Sequence, residues 1–152
     1  MRFIRFSKKH LPAFNALLDG AKGALGAAWV AHMRKTFSQG GCRKCRLSLH
    51  AVTEGGKLVA VFATRHEVEA FVLYFILVGN DYLGAGIGRK IVARVEQMAR
   101  EAGAAFLRVD IYTGKPIQAF YEKQGFKVGG RVNFYEEDGD DQTFLYKKLV
   151  PD

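Results

Sequence analysis

The sequence predicts a mixed α/β fold in which helices pack on a central sheet. Strand-like and helix-like segments alternate through the second half of the chain. An apolar run at 71–78 leads through a glycine-rich turn into the clearest amphipathic helix of the sequence. The chain has 152 residues, 49% of them apolar, which suffices for the core of one ordinary domain. We therefore expect a single domain over residues 1–152.

The first part of the chain predicts one strand and two helices. Residues 2–6 alternate polar and apolar side chains, as a strand does. Apolar residues then recur at helical spacing from Leu11, and Pro12 fits the first turn of that helix. A glycine-rich stretch, 19–28, punctuates the helical pattern before a second short helix that is stopped by Gly40.

A hairpin and a buried strand are expected next. Residues 45–66 form two strand-like runs joined at Gly55 and Gly56, which supply the positive φ of a tight turn. The run at 71–78 is apolar throughout, which predicts a strand covered on both faces. Cys42 and Cys45 flank the start of the hairpin strands. No second pair of Cys or His residues has the spacing of a zinc site, so we interpret the two cysteines as reduced thiols and predict no metal.

The second half predicts a helix, a strand, a helix and a final pair of strands. The first helix has an apolar stripe consisting of Ile87, Ile91, Val95, Met98 and Ala102. Glu96 and Arg100 form an i,i+4 pair on it, and Gly103 closes it. A strand at 106–112 and a helix at 116–124 follow, before two strands within 126–150 that are joined by an acidic turn. The predicted order is β α α β β β α β α β β.

The charge favours an anionic partner and leaves its identity open. The formal net charge is +8, which suits a phosphorylated cofactor, a nucleic acid or a membrane surface. The N-terminus has no continuous apolar segment, and the apolar run 70–78 is too short to span a bilayer. We expect a cytoplasmic protein that does not associate with membranes.

The glycine-rich turn predicts a phosphate site. A helix N-terminus offers unpaired N–H groups and a partial positive charge, and glycines let an anion approach the backbone. A P-loop would need a GK[ST] ending, which is absent here. A dinucleotide fingerprint would need glycine where Arg89 stands, and only about forty residues follow its acidic candidate, Asp110. A turn that merely packs a helix against a sheet is the structural alternative.

Two motifs resemble the signatures of the GCN5-related N-acetyltransferase (GNAT) family. V-G-N-D-Y-L-G-A-G-I-G at 78–88 resembles its V-x-x-x-[YF]-[RQ]-G-x-G-[IV]-G signature. F-Y-E-K-Q-G-F at 120–126 resembles its second signature, [FL]-Y-E-K-x-G-F, and the interval between the two also matches. The resemblance covers residues 71–126.

This resemblance implies a fold and a cosubstrate. The implied sheet is mixed, mostly antiparallel, splayed between its fourth and fifth strands and flanked by about four helices. The implied cosubstrate is acetyl-CoA, whose pyrophosphate lies on the loop and whose pantetheine arm pairs with the fourth strand. The implied cofactor-binding residues are Ile76, Leu77, Val78, Leu83, Gly84, Ala85, Gly86, Ile87, Gly88, Arg89 and Phe120. Leu83 and Gly114 depart from the family's usual Arg or Gln and Asn, which predicts a weaker site.

The chemistry needs an acid and a base. Tyr121 occupies the family position of the general acid for the leaving thiolate, with a buried structural aromatic as the alternative. Glu69 is our candidate base, with Glu67 beside it at the entry to the fourth strand, and a solvated turn is the alternative for both. Further candidates for the base are Asp110, Tyr112 and His50, although we favour a hydrogen-bonded strand histidine for the last of these.

The predicted function is an acetyl-CoA-dependent N-acetyltransferase that acts by direct attack of an amine on the thioester. The acceptor is a small-molecule or protein amine. One alternative is acetylation of aminoacyl-tRNA, which the net charge of +8 suits but no aromatic-interleaved basic patch supports. A non-catalytic acyl-CoA-binding regulatory module is a second alternative. The terminal hairpin has an edge through which a homodimer could form.

Overall fold

The predicted order of helices and strands is confirmed. A computed structural model describes residues 1–39, 46–113, 116–133 and 141–150. In chain order the elements are β1 (Arg2–Arg5), α1 (Leu11–Leu25), α2 (Ala27–Ser38), β2 (Ser48–Glu54), β3 (Lys57–His66), β4 (Ala70–Val78), α3 (Ile87–Glu101), β5 (Phe106–Tyr112), α4 (Ile117–Glu122), β6 (Lys127–Val132) and β7 (Gln142–Lys148). Short 3-10 turns at Lys8–His10 and Asn80–Tyr82 add to these. None of the described helices is long and apolar enough to cross a membrane.

The strands form one mixed sheet, as predicted. Its order is β1-β2-β3-β4-β5-β7-β6. The pairs β1–β2, β2–β3, β5–β7 and β6–β7 are antiparallel. β4 and β5 pair in parallel, with registered pairs from Ala70 opposite Phe106 to Leu73 opposite Val109. Parallel strands need a crossover, and the helix between them in the chain, α3, provides it.

The chain divides into two compact units. The first comprises Met1–Arg65 and Phe75–Val92, and the second comprises His66–Tyr74 and Ala93–Asp152. A single domain over the whole chain stays a prediction.

The first unit is built on an aromatic core. Phe14 of α1 and Phe37 of α2 stack with ring centroids 4.1 Å apart, and Phe6 packs edge-on against Phe37 at 4.9 Å. Phe14 and Phe37 are fully buried, and they join a cluster that includes Ala51 of β2 and Val61 of β3. The two amphipathic helices therefore cover the hairpin with their apolar faces.

The glycine-rich stretch 19–28 ends α1 later than its composition indicates. Gly20 remains helical, and the break comes at Gly26, whose φ of 80° favours glycine. A Cβ on Gly20 would lie 3.2 Å from Asn80 Nδ2, which donates to the Gly20 carbonyl at 2.7 Å. Gly20 thus lies in close contact with Asn80, whose side chain bonds to its carbonyl.

The hairpin prediction is confirmed, whereas that for β4 is half wrong. Gly55 and Gly56 have φ values of 56° and 79° between β2 and β3. Residues 70–73 of β4 are buried, as expected of a strand covered on both faces. Tyr74, however, is 44% exposed, so coverage in the second half of the strand is incomplete, although Leu77 stays buried.

The buried stripe of α3 also differs from the prediction. Ile87, Ile91 and Val95 are buried as expected, but Ala102 is exposed and lies beyond the end of the helix. The stripe includes Val92 and Ala99, and Met98 is half-buried. The buried face of the helix is wider than one line of positions, so Val92 and Ala99 join it, while Ala102 drops out because the helix has ended.

Some predicted features are shorter or lie outside the described residues. The helix expected at 116–124 is α4, which begins after Pro116 and ends at Glu122, and Gly125 follows with a φ of 88°. The cysteine pair Cys42 and Cys45, the stop at Gly40, the family position Gly114 and most of the acidic turn lie outside the described residues.

Glu96 ties α3 to β7. Lys147 Nζ donates to Glu96 Oε2 at 2.6 Å, and Arg100 donates to Oε1 at 2.9 Å, which confirms the predicted i,i+4 pair. Burial disfavours the charged carboxylate, but the bonds from Lys147 and Arg100 outweigh it and hold the pKa of Glu96 below its ordinary value of 4.5. The ionised form is thus favoured in the folded state.

We expect Glu96→Gln to lower stability more at neutral pH than in acid. Because its pKa is lowered on folding, Glu96 contributes stability that is present above pH 4.5 and is lost as the pH falls through the folded pKa. The variant should lose about 1 kcal/mol of unfolding free energy at pH 7 and less near pH 3, because the carboxylate becomes protonated as the pH approaches its lowered pKa. Urea titrations at both pH values measure this. Glu101→Gln is the control, because Glu101 is 57% exposed and 3.8 Å from Arg94; an equal loss in that variant would contradict the prediction.

Candidate active site

The glycine loop is a series of tight turns between β4 and α3. Gly79 N donates to Val59 O at 2.9 Å, Leu83 N to Asn80 O at 3.2 Å and Ala85 N to Tyr82 O at 3.3 Å. Gly84 and Gly86 then adopt φ values of 79° and 75°, a region that side chains with a Cβ resist. The backbone conformation of the loop therefore explains why glycine occupies two positions of the motif, Gly84 and Gly86.

The loop is open above its glycines. A Cβ built on Gly84 would have nothing within 4 Å, and Leu83 is 65% exposed. Ala85 is also exposed, whereas Ile87 is buried and contributes its backbone at the first turn of α3. Gly88 is half-buried in the same turn. The first N–H groups of this 15-residue helix have no intrahelical acceptor.

Arg89 adds positive charge to the same place. One of its terminal nitrogens lies 3.9 Å from the point that a Cβ would occupy if residue 86 had a side chain. The guanidinium therefore adds a full charge to the partial charge of the helix end. Open glycine backbone, a helix N-terminus and an arginine together fit a ligand that carries phosphate groups.

Two residues that sequence reasoning missed hold the loop in place. A Cβ on Gly79 would approach Leu17 Cδ2 to 2.8 Å and Val59 O to 3.4 Å, so a larger residue here would displace the Leu17 side chain. Asn80 bonds the loop to α1 through the Gly20 carbonyl. Their only sequence signal is the Gly-Asn pair that directly follows the apolar strand.

The three predicted β4 residues lie just before this loop. Leu77 is buried in the core cluster of the first unit. Ile76 and Val78 are half-buried. Because successive side chains of a strand point to opposite faces, the side chain of Leu77 lies on one face of β4 and those of Ile76 and Val78 lie on the other.

Tyr121 lies in the second unit, on α4. It is 4% exposed, and its ring packs edge-on against Phe120 and Phe126 at centroid distances of 5.0 and 5.5 Å. Burial raises the pKa of the Tyr121 phenol well above its ordinary value, so the hydroxyl stays protonated at neutral pH. Ile117, on the same helix, is 41% exposed and does not share that buried face. Phe120 is half-buried.

The candidate carboxylates also belong to the second unit. Glu69 is exposed, and its carbonyl accepts bonds from Ala105 N at 2.8 Å and Phe106 N at 3.3 Å. Glu67 and Asp110 are brought together by Arg108, which donates to Asp110 at 3.0 and 3.2 Å and to Glu67 at 3.3 Å. Sequence reasoning missed Arg108, since an arginine inside a strand carries no motif.

The remaining candidates are engaged in the sheet. His50 Nε2 lies 2.9 Å from Thr64 Oγ1, and its ring stacks on Phe62 at 4.5 Å, which matches the favoured description of a hydrogen-bonded strand histidine. Tyr112 is half-buried at the end of β5, opposite Gln142.

Solved structures that superpose on this chain include several acetyltransferases. The chain superposes with a TM-score of 0.85 on a crystal structure from Desulfovibrio desulfuricans described as a GNAT-family acetyltransferase, at 17% identity over 98% of this chain and 99% of that one. The ribosomal-protein-S18-alanine N-acetyltransferase of Escherichia coli gives 0.77, at 21% identity over 99% and 95%. An aminoglycoside 6'-N-acetyltransferase complexed with coenzyme A gives 0.71, at 14% identity over 100% and 99%. These likenesses show the fold.

The sequence itself gives the family. The sequence model of the acetyltransferase (GNAT) family matches residues 14–126, and the chain therefore belongs to this family. A comparison with curated protein sequences gave no match. The resemblance stated from the two motifs is confirmed.

Proposed function

We propose that the protein transfers an acetyl group from acetyl-CoA to a primary amine, by direct attack in a ternary complex. The observation that carries this proposal is the open glycine loop at the N-terminus of α3, with Arg89 beside Gly86. Membership of an acetyltransferase family supports the choice of coenzyme A over a dinucleotide.

Backbone groups of the first unit would hold the coenzyme, which supplies the activated acetyl thioester when bound. The N–H groups of Gly84, Gly86 and Gly88 bind the pyrophosphate, and the guanidinium of Arg89 neutralises part of its charge. The backbone of Ile76 and Val78 pairs with the pantetheine arm as an added strand would. The N–H of Leu83 is already donated to Asn80 O and its side chain carries no charge, so Leu83 weakens the site without abolishing it, because the other phosphate contacts come from the glycine backbone.

The reaction needs two proton transfers. The acceptor arrives as an ammonium ion, because free alkyl amines have a pKa near 10, and it must lose one proton before it attacks. Its nitrogen then forms a bond to the acetyl carbon while the carbon–sulfur bond breaks, and the nitrogen loses a second proton. The sulfur leaves as a thiolate and takes up one proton, so the products are an amide, free coenzyme A and one released proton.

We propose Tyr121 as the donor of the proton to the thiolate. A phenol is protonated at neutral pH, as a general acid must be before it acts. The proposal rests on the position of Tyr121 in the second motif, since burial raises its pKa and so opposes proton release. The T-shaped contacts with Phe120 and Phe126 fix the ring. We propose Glu69 as the base, because its exposed carboxylate at the start of β4 can receive a proton and return it to water.

The acceptor is not decided by the fold. Structures of similar fold include a ribosomal-protein-alanine N-acetyltransferase and an aminoglycoside 6'-N-acetyltransferase, which act on a protein amine and on a small molecule. We therefore propose only that the acceptor is a small-molecule or protein amine.

Isothermal titration tests the coenzyme assignment. We expect acetyl-CoA to bind with micromolar affinity and NADH to give no heat under the same conditions, because the loop lacks the third glycine of a dinucleotide site. Release of free thiol in the presence of a panel of amines then measures turnover. Absence of acetyl-CoA binding would contradict the proposal, and binding without turnover of any amine would favour a non-catalytic module.

A further inference from the structure

The 23 basic and 15 acidic residues of the chain are divided unequally between the two units. The first unit holds fourteen Lys and Arg against three Asp and Glu, which gives it a net charge of +11. The second holds nine basic and twelve acidic residues, which gives a net charge of −3. The total of +8 therefore arises from the first unit alone, and this asymmetry favours an anionic partner for that unit.

Part of this charge is gathered around one buried aromatic residue, Phe6. Its N–H donates to Leu49 O at 3.0 Å, and its ring packs edge-on against Phe37 at a centroid distance of 4.9 Å. The end of β1, the start of β2 and the end of α2 therefore meet here. Exposed basic residues lie within three chain positions of Phe6, Leu49 or Phe37, and together they form the basic surface: Arg5, Lys8, Lys9, Lys35 and Arg46.

The basic surface is not neutralised by carboxylates of the first unit. None of its five side chains forms an ion pair with a carboxylate in the part of the chain that the structure describes. Among the three acidic residues of this unit, Asp19 pairs with Arg34 of α2. Glu54 lies at the far end of β2, opposite Lys57 in the register, and Asp81 lies in the turn before the glycine loop. The five positive charges are thus available to a ligand.

The basic surface is separate from the glycine loop. β2 and β3 are antiparallel, and Gly79 N at the start of the loop donates to Val59 O, near the first residue of β3. The loop therefore lies beside the turn of the hairpin. The basic surface lies at the opposite end, where β2 begins beside Phe6. A ligand of the basic surface is consequently a second ligand, distinct from the coenzyme.

The composition of this surface favours a nucleic acid over a protein or a membrane. A nucleic acid backbone carries only negative charges, and Lys and Arg bind its phosphates. Interfaces with proteins are depleted in lysine, whereas three of the five residues here are lysines. A membrane-binding helix needs a free apolar face, but α1 and α2 bury theirs around Phe14 and Phe37.

From these observations we infer that the basic surface binds the phosphate backbone of a nucleic acid. The ammonium and guanidinium groups contact phosphate oxygens, which carry no sequence information. The rings that adjoin the surface, Phe6 and Phe37, are buried, so they do not stack on bases. Binding is therefore independent of base sequence. This inference goes beyond the proposed acetyl transfer and does not depend on it.

Fluorescence anisotropy with a labelled single-stranded RNA of about 20 nucleotides tests the inference. We expect micromolar binding at about 50 mM salt, and a logarithmic salt dependence with a slope of about −3.5, because five phosphate contacts release counterions from a single strand. DNA of the same sequence should bind within about threefold, since the backbone phosphates are shared. Excess acetyl-CoA should not displace the RNA.

The combined variant Lys8→Gln, Lys9→Gln and Arg46→Gln removes three charges from the basic surface. It should weaken RNA binding about tenfold or more and reduce the salt slope by about 2. Its affinity for acetyl-CoA should stay unchanged, because the glycine loop lies at the other end of the hairpin. Thermal unfolding checks that the variant is folded.

A charge-matched control separates the surface from net charge. The combined variant Lys123→Gln, Lys127→Gln and Arg131→Gln removes the same charges from exposed positions of the second unit and should leave RNA binding nearly unchanged. Equal losses in the two variants, or displacement of RNA by acetyl-CoA, would overturn the inference. Binding to anionic phospholipid vesicles or to polyglutamate that is as tight as binding to RNA would also overturn it. Loss of acetyl-CoA binding with retained RNA binding would instead contradict only the proposed function.

Discussion

Replacing Tyr121 with phenylalanine is expected to lower kcat by roughly 10² to 10⁴, the usual contribution of a general acid. The substitution removes only the hydroxyl, so the ring contacts with Phe120 and Phe126 remain. The midpoint of thermal unfolding should therefore move by a few degrees at most. Steady-state assays of thiol release, with acetyl-CoA binding measured in parallel, give both quantities. We expect KM for acetyl-CoA to stay nearly constant.

Phe126→Leu separates the hydroxyl from the packing. It disturbs the ring packing around Tyr121 and keeps the phenol, so it should lower stability with a much smaller loss of kcat.

A second readout for Tyr121 is the dependence of kcat on pH. Because burial raises the pKa of Tyr121 above its ordinary value of 10.0, no loss of kcat from its ionisation is expected below pH 10. Unchanged turnover in Tyr121→Phe would remove Tyr121 from the mechanism and leave it a buried aromatic.

Gly84→Val is expected to weaken acetyl-CoA binding by about tenfold or more, which corresponds to roughly 1.4 kcal/mol. Two effects act together. A β-branched residue resists the φ of 79° at this position, and its side chain occupies the open space above the loop. Titration calorimetry measures the affinity, and thermal unfolding measures the strain.

Gly103→Val provides a control with the same backbone strain. Gly103 follows α3 with a φ of 71°, and a Cβ there also meets nothing within 4 Å. Both variants should lose similar stability, but only Gly84→Val should lose affinity for acetyl-CoA. Equal affinities in the two variants would show that the phosphates bind elsewhere.

Local sequence signals predicted the elements well and their burial less well. The order of helices and strands and the turn glycines depend on residues close together in the chain, and these predictions are confirmed. The apolar stripe of α3 and the coverage of β4 depend on which surfaces meet in the folded protein. Ala102 and Tyr74 are exposed for that reason, although both lie within patterns that predict burial.

The sequence by itself determined the glycine loop, the family and the candidate acid, because each resides in a short run of residues with its own geometry or signature. Only the tertiary structure decided that Tyr121 is buried, and that Arg108 joins Glu67 and Asp110. Arg108 and Glu67 are 41 residues apart, and their contact depends on the parallel register of β4 and β5. The register of two strands is set by the packing of whole strands. No local pattern in the sequence therefore predicts the contacts that a register creates.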